Sequence, residues 1–265
     1  MTEPTANRRT FKLRANIFVL RGSRHWLRIA LIVIGLYASL PFVAPTLMHF
    51  GATGPAQVLY TLYSPFCHQF AFRSFFLFGE QPAYPRAAAG TSLKPFESYI
   101  QNSPEFEAAL APFLGIGRAP LTEQTFDPFQ FTPQLQFAAR AFLGDPQMGY
   151  KLTLCERDIS IYLAMFTGGL LYSLPYVRRR LRPVPIWLYV LLGLGPIGLD
   201  GFSQLLGYPP FNLWAPRETT PIFRVVTGVL FGFMNAWLAF PYLELSMRET
   251  RQQLEAKLAR IGIHV

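Results

Sequence analysis

Charge is scarce in this sequence: Asp, Glu, Lys and Arg make up 15% of its 265 residues, while 51% are hydrophobic. Soluble domains carry roughly a quarter charged residues, so the composition excludes an ordinary water-exposed fold and points to an integral membrane protein. Cysteine is scarcer, with Cys67 and Cys155 the only two and no Cys-x-x-Cys motif between them. Also missing are a Gly-rich phosphate loop, a His-Glu-x-x-His zinc motif, a nucleophile elbow and a kinase signature set. These absences lean away from an enzyme, and no cofactor is firmly implied. No internal repeat, heptad array or low-complexity tract is visible.

The charge that is present is unevenly placed. The net charge is +9. Residues 1–28 hold seven basic and one acidic residue, Arg178, Arg179, Arg180 and Arg182 form a second cluster, and residues 248–265 hold four basic and two acidic residues. These three short segments therefore carry +12 and the rest of the chain −3. Basic clusters that flank apolar spans follow the positive-inside bias. No compact, aromatic-interleaved basic patch accompanies them, so nucleic acid is not an expected partner.

A bilayer core of ~30 Å takes ~20 mostly apolar residues in a helix. Four stretches meet that requirement, at residues 26–50 (with Pro41 and Pro45), 158–177, 185–207 and 222–247. The expected fold is all-α and polytopic, with four transmembrane helices and an extracytoplasmic helical and loop cap. Placing the basic segments in the cytoplasm puts both termini there. Residues 1–25 are then a basic N-terminus, 26–50 the first helix, 51–157 the extracytoplasmic segment, 158–247 helices two to four, and 248–265 a basic tail. The first span is longer than a signal-peptide core and is read as an uncleaved anchor in the cell membrane.

Within the outer segment, residues 59–78 are aromatic and apolar but interrupted by Cys67, His68, Gln69 and Arg73. This reads as an interfacial or re-entrant helix. A polar, Pro-rich cap follows, with short helices expected at 94–110 and 133–143 and an apolar face of Phe106, Leu110, Phe113 and Leu114.

Both cysteines fall on the extracytoplasmic side, where thiols oxidise. The leading expectation is a Cys67–Cys155 disulfide clipping the outer segment to the second helix. A redox-active pair, a metal site of Cys67, His68 and Cys155, and two inert thiols remain open. At helical spacing, His68 and Gln69 share a face with Arg73. Asp158 is placed to cap the second helix, with Arg157 turned toward the outer segment or the headgroups. Asp200 and Gln204 stand four residues apart near the outer end of the third helix. A carboxylate at that depth needs a partner, and Arg224, with Thr227 one turn below, is the expected one. Gly193, Gly195, Gly198 and Gly201 in the third helix permit close approach, as do Gly228 and Gly232 in the fourth.

The ordered set Cys67-His68-Gln69, Arg73-Ser74-Phe75-Phe76 with Gly79, Cys155-x-Arg157-Asp158 with Tyr162, Asp200-Gly201 with Gln204, Arg217, Arg224 and Thr227-Gly228 with Gly232 resembles the prokaryotic membrane-protein family called domain of unknown function 2085. The resemblance implies an integral membrane protein and supplies no activity or substrate. The expected function is a non-catalytic binding or accessory protein. Its pocket would be lined by His68, Gln69, Arg73, Arg157, Asp158, Asp200, Gln204 and Arg224. Its expected partners are the bilayer, an anionic or lipid-like ligand such as a headgroup or quinone, and a membrane-protein partner or second copy. The alternatives are an envelope thiol/disulfide or metal-dependent membrane enzyme, and a small transporter acting as an oligomer.

Overall fold

The structure, a computed structural model, describes residues 3–114, 126–208 and 210–263, with side chains from residue 11 onward. The chain is mostly helical. Helix α1 (Glu3–His49) runs unbroken through Pro41 and Pro45. Gly51, at φ +76°, turns the chain into α2 (Thr53–Tyr63). There follow β1 (Ser74–Leu77), α3 (Phe96–Ile100), α4 (Pro104–Leu114), α5 (Pro133–Ala141), β2 (Gly144–Asp145) and β3 (Gly149–Cys155). Helices α6 (Glu156–Ser173), α7 (Pro175–Arg180), α8 (Ile186–Leu188), α9 (Gly195–Gly207) and α10 (Pro221–Ala259) complete it, with a π-helical turn at Tyr189–Leu194 joining α8 to α9.

Three helical segments, Phe11–His49, Ile186–Gly207 and Pro221–Ala259, are long and apolar enough to cross a membrane. They coincide with the first, third and fourth expected spans. The second differs. Helix α6 has 18 residues and ends at Leu174, whose backbone is extended (φ −64°, ψ 127°). At 1.5 Å per residue it reaches about 27 Å. Proline disfavours helical geometry in the residue before it, so Pro175 divides the stretch read as one helix into α6 and α7.

The larger departure from an all-α reading is a three-stranded antiparallel sheet in the order β1-β3-β2. Residues 59–78 are therefore not one helix. They comprise the end of α2, an irregular stretch with Gln69 at φ +54°, a 3₁₀ turn at Ala71–Arg73, and β1. The sheet closes on glycine: a Cβ on Gly79 would lie 1.8 Å from the Met148 carbonyl oxygen, and one on Gly149 would lie 2.2 Å from that of Leu77.

Phe72, Phe76, Tyr84, Phe96, Phe106 and Met148 belong to a buried core shared by the strands and short helices between α2 and α6. Each such side chain taken from water contributes about 1.5–3 kcal/mol. The short helix expected at 133–143 is present as α5, whereas the stretch expected at 94–110 is divided into α3 and α4, with Phe106 and Leu110 buried and Phe113 exposed. A second cluster of Tyr63, Cys67, Leu154 and Ile159, with Tyr37 of α1 against it, fastens this subdomain to the long helices. Helices α6 and α10 meet backbone to backbone, a Cβ on Gly232 falling 2.3 Å from the Ile161 carbonyl oxygen. Gly193 lies against Met234, but nothing stands within 4 Å of a Cβ on Gly198 or Gly201. The close approach expected at those two positions is not made.

Candidate functional site

The polar cluster is assembled on the loop between α9 and α10. Thr220 ends this loop by capping α10, its hydroxyl accepting from the Phe223 N–H (3.3 Å) with Pro221 at the first helical position. That cap fixes the direction of the three residues before it, Arg217, Glu218 and Thr219. The buried Glu218 carboxylate accepts from Arg73 Nη2 (2.7 Å) and Nε (3.2 Å), from Arg224 Nη2 (2.6 Å), and from the Tyr208 hydroxyl (2.7 Å). Burial alone would push Glu218 up, but the Arg73 and Arg224 guanidiniums outweigh it and hold the carboxyl below its ordinary value. Arg73 responds reciprocally: burial lowers it, Glu218 raises it, and the net shift is upward. Tyr208 is pushed up by burial first and by Glu218 second. Its ring stacks on Phe131 at 4.0 Å, so the loop is seated on the subdomain by packing as well as by charge.

Asp200 is the second acceptor. Its Oδ1 takes Arg217 Nη2 and the Thr219 hydroxyl, each at 2.6 Å, while Oδ2 takes Gln204 Nε2 (3.0 Å) and Arg157 Nη2. The expected Asp200–Gln204 face is therefore present. The expected Asp200–Arg224 pair is not: Arg224 reaches Glu218 and, through Nη1, Glu156 (3.3 Å) and the Phe72 carbonyl (3.4 Å). Arg224 takes two carboxylates, Glu218 and Glu156, that the sequence did not single out, and Asp200 takes Arg157 and Arg217 instead. Nor does Thr227 complete the network, since its hydroxyl bonds to carbonyls of its own helix. Glu156 and Glu218 are the residues missed. Glu218 sits beside Arg217 in a short loop and reads as a solvated charge until the fold buries it.

Of the eight expected pocket residues, Arg73, Arg157, Asp200, Gln204 and Arg224 converge here. His68 and Gln69 do not. His68 is exposed, whereas Gln69 is buried and donates to the Tyr60 (3.0 Å) and Thr153 (2.9 Å) carbonyls. Without a helix at 66–73, neither shares a face with Arg73. Asp158 is not the cap of α6; that role belongs to Cys155, whose Sγ accepts from the Asp158 N–H at 3.5 Å.

The disulfide expectation is also corrected: Cys67 and Cys155 are free thiols, not at bonding distance. Cys67 Sγ instead accepts from the backbone N–H groups of Gln69 (3.5 Å) and Cys155 (3.3 Å). Its contact with Cys67, then burial, pushes the Cys155 thiol well above its ordinary value. Cys67, Cys155 and Asp158 bring one ligand atom each within 4.8 Å of one another. Among the described residues, the group whose ligand atoms converge therefore holds Asp158 in place of His68.

Around Asp200, Glu156 and Glu218 stand four arginines, 73, 157, 217 and 224, leaving a local charge of +1. Glu218 and Asp200 have donors on both oxygens, which leaves neither free to act as a base or nucleophile. Among the described residues, Glu156 Oε1 and Arg157 Nε are buried without a hydrogen-bond partner. Arg157, Arg73 and Arg217 keep 21%, 26% and 49% of their side-chain surface exposed, so these three are what the cluster shows outward, two of them on Asp200.

Residues 142–238, which include α6, α9, the loop and Arg224, match a known family model. It is the family described as predicted membrane protein, domain of unknown function 2085. The resemblance drawn from the sequence motifs is thereby borne out, and it comes with no activity. An uncharacterized protein of Methanocaldococcus jannaschii is 28% identical over 94 residues, covering 35% of this chain and 54% of that protein. The chain thus spans about half the length of the curated relative it matches. No solved structure matches.

Proposed function

We propose that this chain is a non-catalytic, multi-pass membrane protein that binds an anionic, lipid-like ligand at its extracytoplasmic boundary. The observation that carries the reading is Asp200 holding Arg157 and Arg217 as a partly exposed pair. Two guanidiniums share one buried carboxylate, so their outward side has a surplus positive charge and free N–H donors. Guanidinium forks suit carboxylate and phosphate groups. Asp200 and Glu218 are already saturated with donors, which favours positioning and binding over proton transfer at these two carboxylates.

In this reading α6 is a fourth crossing beside the three longer ones. Residues 51–157 and 208–221 lie outside, and both termini lie in the cytoplasm by the placement of basic residues. A fluorescent protein fused after Val265 should then be bright, and alkaline phosphatase inserted after Pro128 should be active. The reverse pattern overturns the orientation.

Trp214 lies on the same loop as the site, three residues before Arg217, with its Nε1 donating to the Ser203 carbonyl of α9 at 2.8 Å, and serves as its reporter. Its emission, taken as the difference from a Trp214→Phe variant, should change saturably with short-chain phosphatidylglycerol and not with phosphatidylcholine. The change should vanish in Arg157→Gln/Arg217→Gln. An unresponsive Trp214 in the unaltered protein refutes the ligand.

One observation favours a second reading, a metal-binding membrane protein. Two thiolates and a carboxylate are three of the four ligands a zinc site takes, and Cys67, Cys155 and Asp158 converge to within 4.8 Å. Added Co(II) should then give thiolate charge-transfer and tetrahedral visible bands that Cys67→Ser abolishes. Their absence dismisses the metal.

A further inference from the structure

At the opposite end of the long helices a second charged group uses neither the loop nor the thiols. Glu244 of α10 is buried, and both of its oxygens are taken. Oε2 accepts from Trp26 Nε1 (2.9 Å) and from Arg178 Nε (3.1 Å) and Nη2 (2.5 Å). Oε1 accepts from Arg248 Nε (2.8 Å) and Arg251 Nη2 (3.3 Å). A cavity of about 380 Å³ opens here between the end of α6, α7 and α10, with Arg178, Arg179, Arg248 and Arg251 in its wall beside Glu244. Four arginines against one carboxylate leave +3 around this space.

The local sequence explains the convergence. Arg248 follows Glu244 by one helical turn and Arg251 by two, so all three share a face of α10. Pro175 restarts the chain as α7 and swings Arg178 and Arg179 toward that face. Glu244 neutralises one guanidinium and orients three. Among the described residues, Arg178 Nη1, both Nη atoms of Arg248 and the whole Arg179 fork have no protein acceptor. The group lies where the apolar sequence ends: Leu170, Leu171 and Leu174 at the end of α6 and Leu243 before Glu244 are exposed, and the arginines follow them along the chain.

We propose that this pocket binds the phosphate headgroup of an anionic phospholipid in the cytoplasmic leaflet. The leaflet assignment rests on the orientation proposed above, whereas the binding chemistry does not. Guanidinium donors match phosphate oxygens, and basic pockets between membrane helices at the cytoplasmic side suit anionic headgroups. The bordering leucines would receive the acyl chains, which favours a lipid over a soluble phosphate.

Native mass spectrometry of the full chain in neutral detergent, titrated with phosphatidylglycerol or phosphatidylcholine of matched chain length, tests this. The site variant is Arg179→Gln/Arg248→Gln, which leaves Arg178 and Arg251 on Glu244 and so preserves the fold. Its preference for phosphatidylglycerol should fall about thirtyfold, the effect of two arginine charges near a membrane surface. Arg179→Gln alone, which touches no ion pair, should show a smaller loss. Lys257→Gln/Arg260→Gln removes the same charge from the tail and should leave the preference intact. Equal retention of the two lipids, or an equal loss in the tail variant, overturns the proposal. Full displacement of the lipid by millimolar inorganic phosphate would make this a soluble-phosphate site and equally overturn it. The Trp214 measurement reads the other end of the molecule, so either site can fail alone.

Discussion

Arg73 and Glu218, 145 positions apart, are joined by two hydrogen bonds of 2.7 and 3.2 Å. This bidentate pair ties the strand-bearing subdomain to the loop between α9 and α10, and Arg224 ties the same carboxylate to the long helices. Removing a partner from a buried ion pair costs about 3–5 kcal/mol because the remaining charges lose their counter-ion. Glu218→Gln should therefore lower the thermal midpoint in detergent markedly, while Lys94→Gln, at an exposed 3.9 Å pair, should leave it nearly unchanged.

The same carboxyl gives a pH signature. Glu218 is held below its ordinary value of 4.5, so the folded state binds its proton less readily than the unfolded chain does. Its stabilisation is fully present above 4.5 and is lost as pH falls through the lower folded value. A midpoint measured from pH 7 down to 3 should drop below pH 4.5 in the unaltered protein. In Glu218→Gln the acid-side slope should be shallower; equal slopes would show that other carboxylates govern it.

The two sub-networks should behave separately. Asp200 bonds to Arg157 and Arg217, and Arg224 to Glu218 and Glu156. A double-mutant cycle of Asp200→Asn with Arg157→Gln should give a coupling of about 0.5–3 kcal/mol, and one with Arg224→Gln should be additive within about 0.5 kcal/mol. Strong coupling between Asp200 and Arg224 would restore the pairing that the sequence suggested.

Three of the four apolar stretches were legible because span length and hydropathy are local quantities: helix α10 starts at Pro221, one residue from the expected start. The Asp200–Gln204 face was legible for the same reason, from helical spacing. Glu218 was not, since its burial depends on Arg73 and Tyr208 arriving from elsewhere in the chain. The sheet did leave a trace. Tyr150, Leu152 and Leu154 alternate with Lys151 and Thr153, the period of a strand, but a lysine and a threonine at the intervening positions read as a solvated face. In the structure both are buried, because the subdomain covers β3 on both sides.

Glycine substitutions separate the packed seam from the open helix face. A Cβ on Gly232 would lie 2.3 Å from backbone oxygen and 2.8 Å from the Ala164 Cβ, neither of which moves without separating α6 from α10. Gly232→Ala should cost about 1–3 kcal/mol as an overpacked site. Gly198→Ala, with open space around its Cβ, should be neutral or slightly stabilising through helix propensity. A thermal-shift comparison of the two variants decides it, and an unchanged Gly232→Ala would mean that the α6–α10 seam is looser than drawn.

Lys151 supplies the last test, on the alkaline side. It is fully buried on β3, and its Nζ donates to the carbonyls of Gln69 (2.7 Å), Ala139 (3.1 Å) and Arg140 (2.7 Å), stitching the strand to α5 and to the irregular stretch before β1. Burial pushes its pKa down to about 7 from 10.5. The sign follows from proton counting. Burial favours the neutral amine, which keeps only two of the three donated bonds. Between pH 7 and 10.5 the unfolded lysine keeps a proton that the folded one gives up, so stability rises with pH across that window and is flat below it. The midpoint of the unaltered protein should climb over this range relative to Lys151→Met, which has no proton to lose. Parallel curves would mean that Lys151 stays charged in the folded state, held by its three carbonyls.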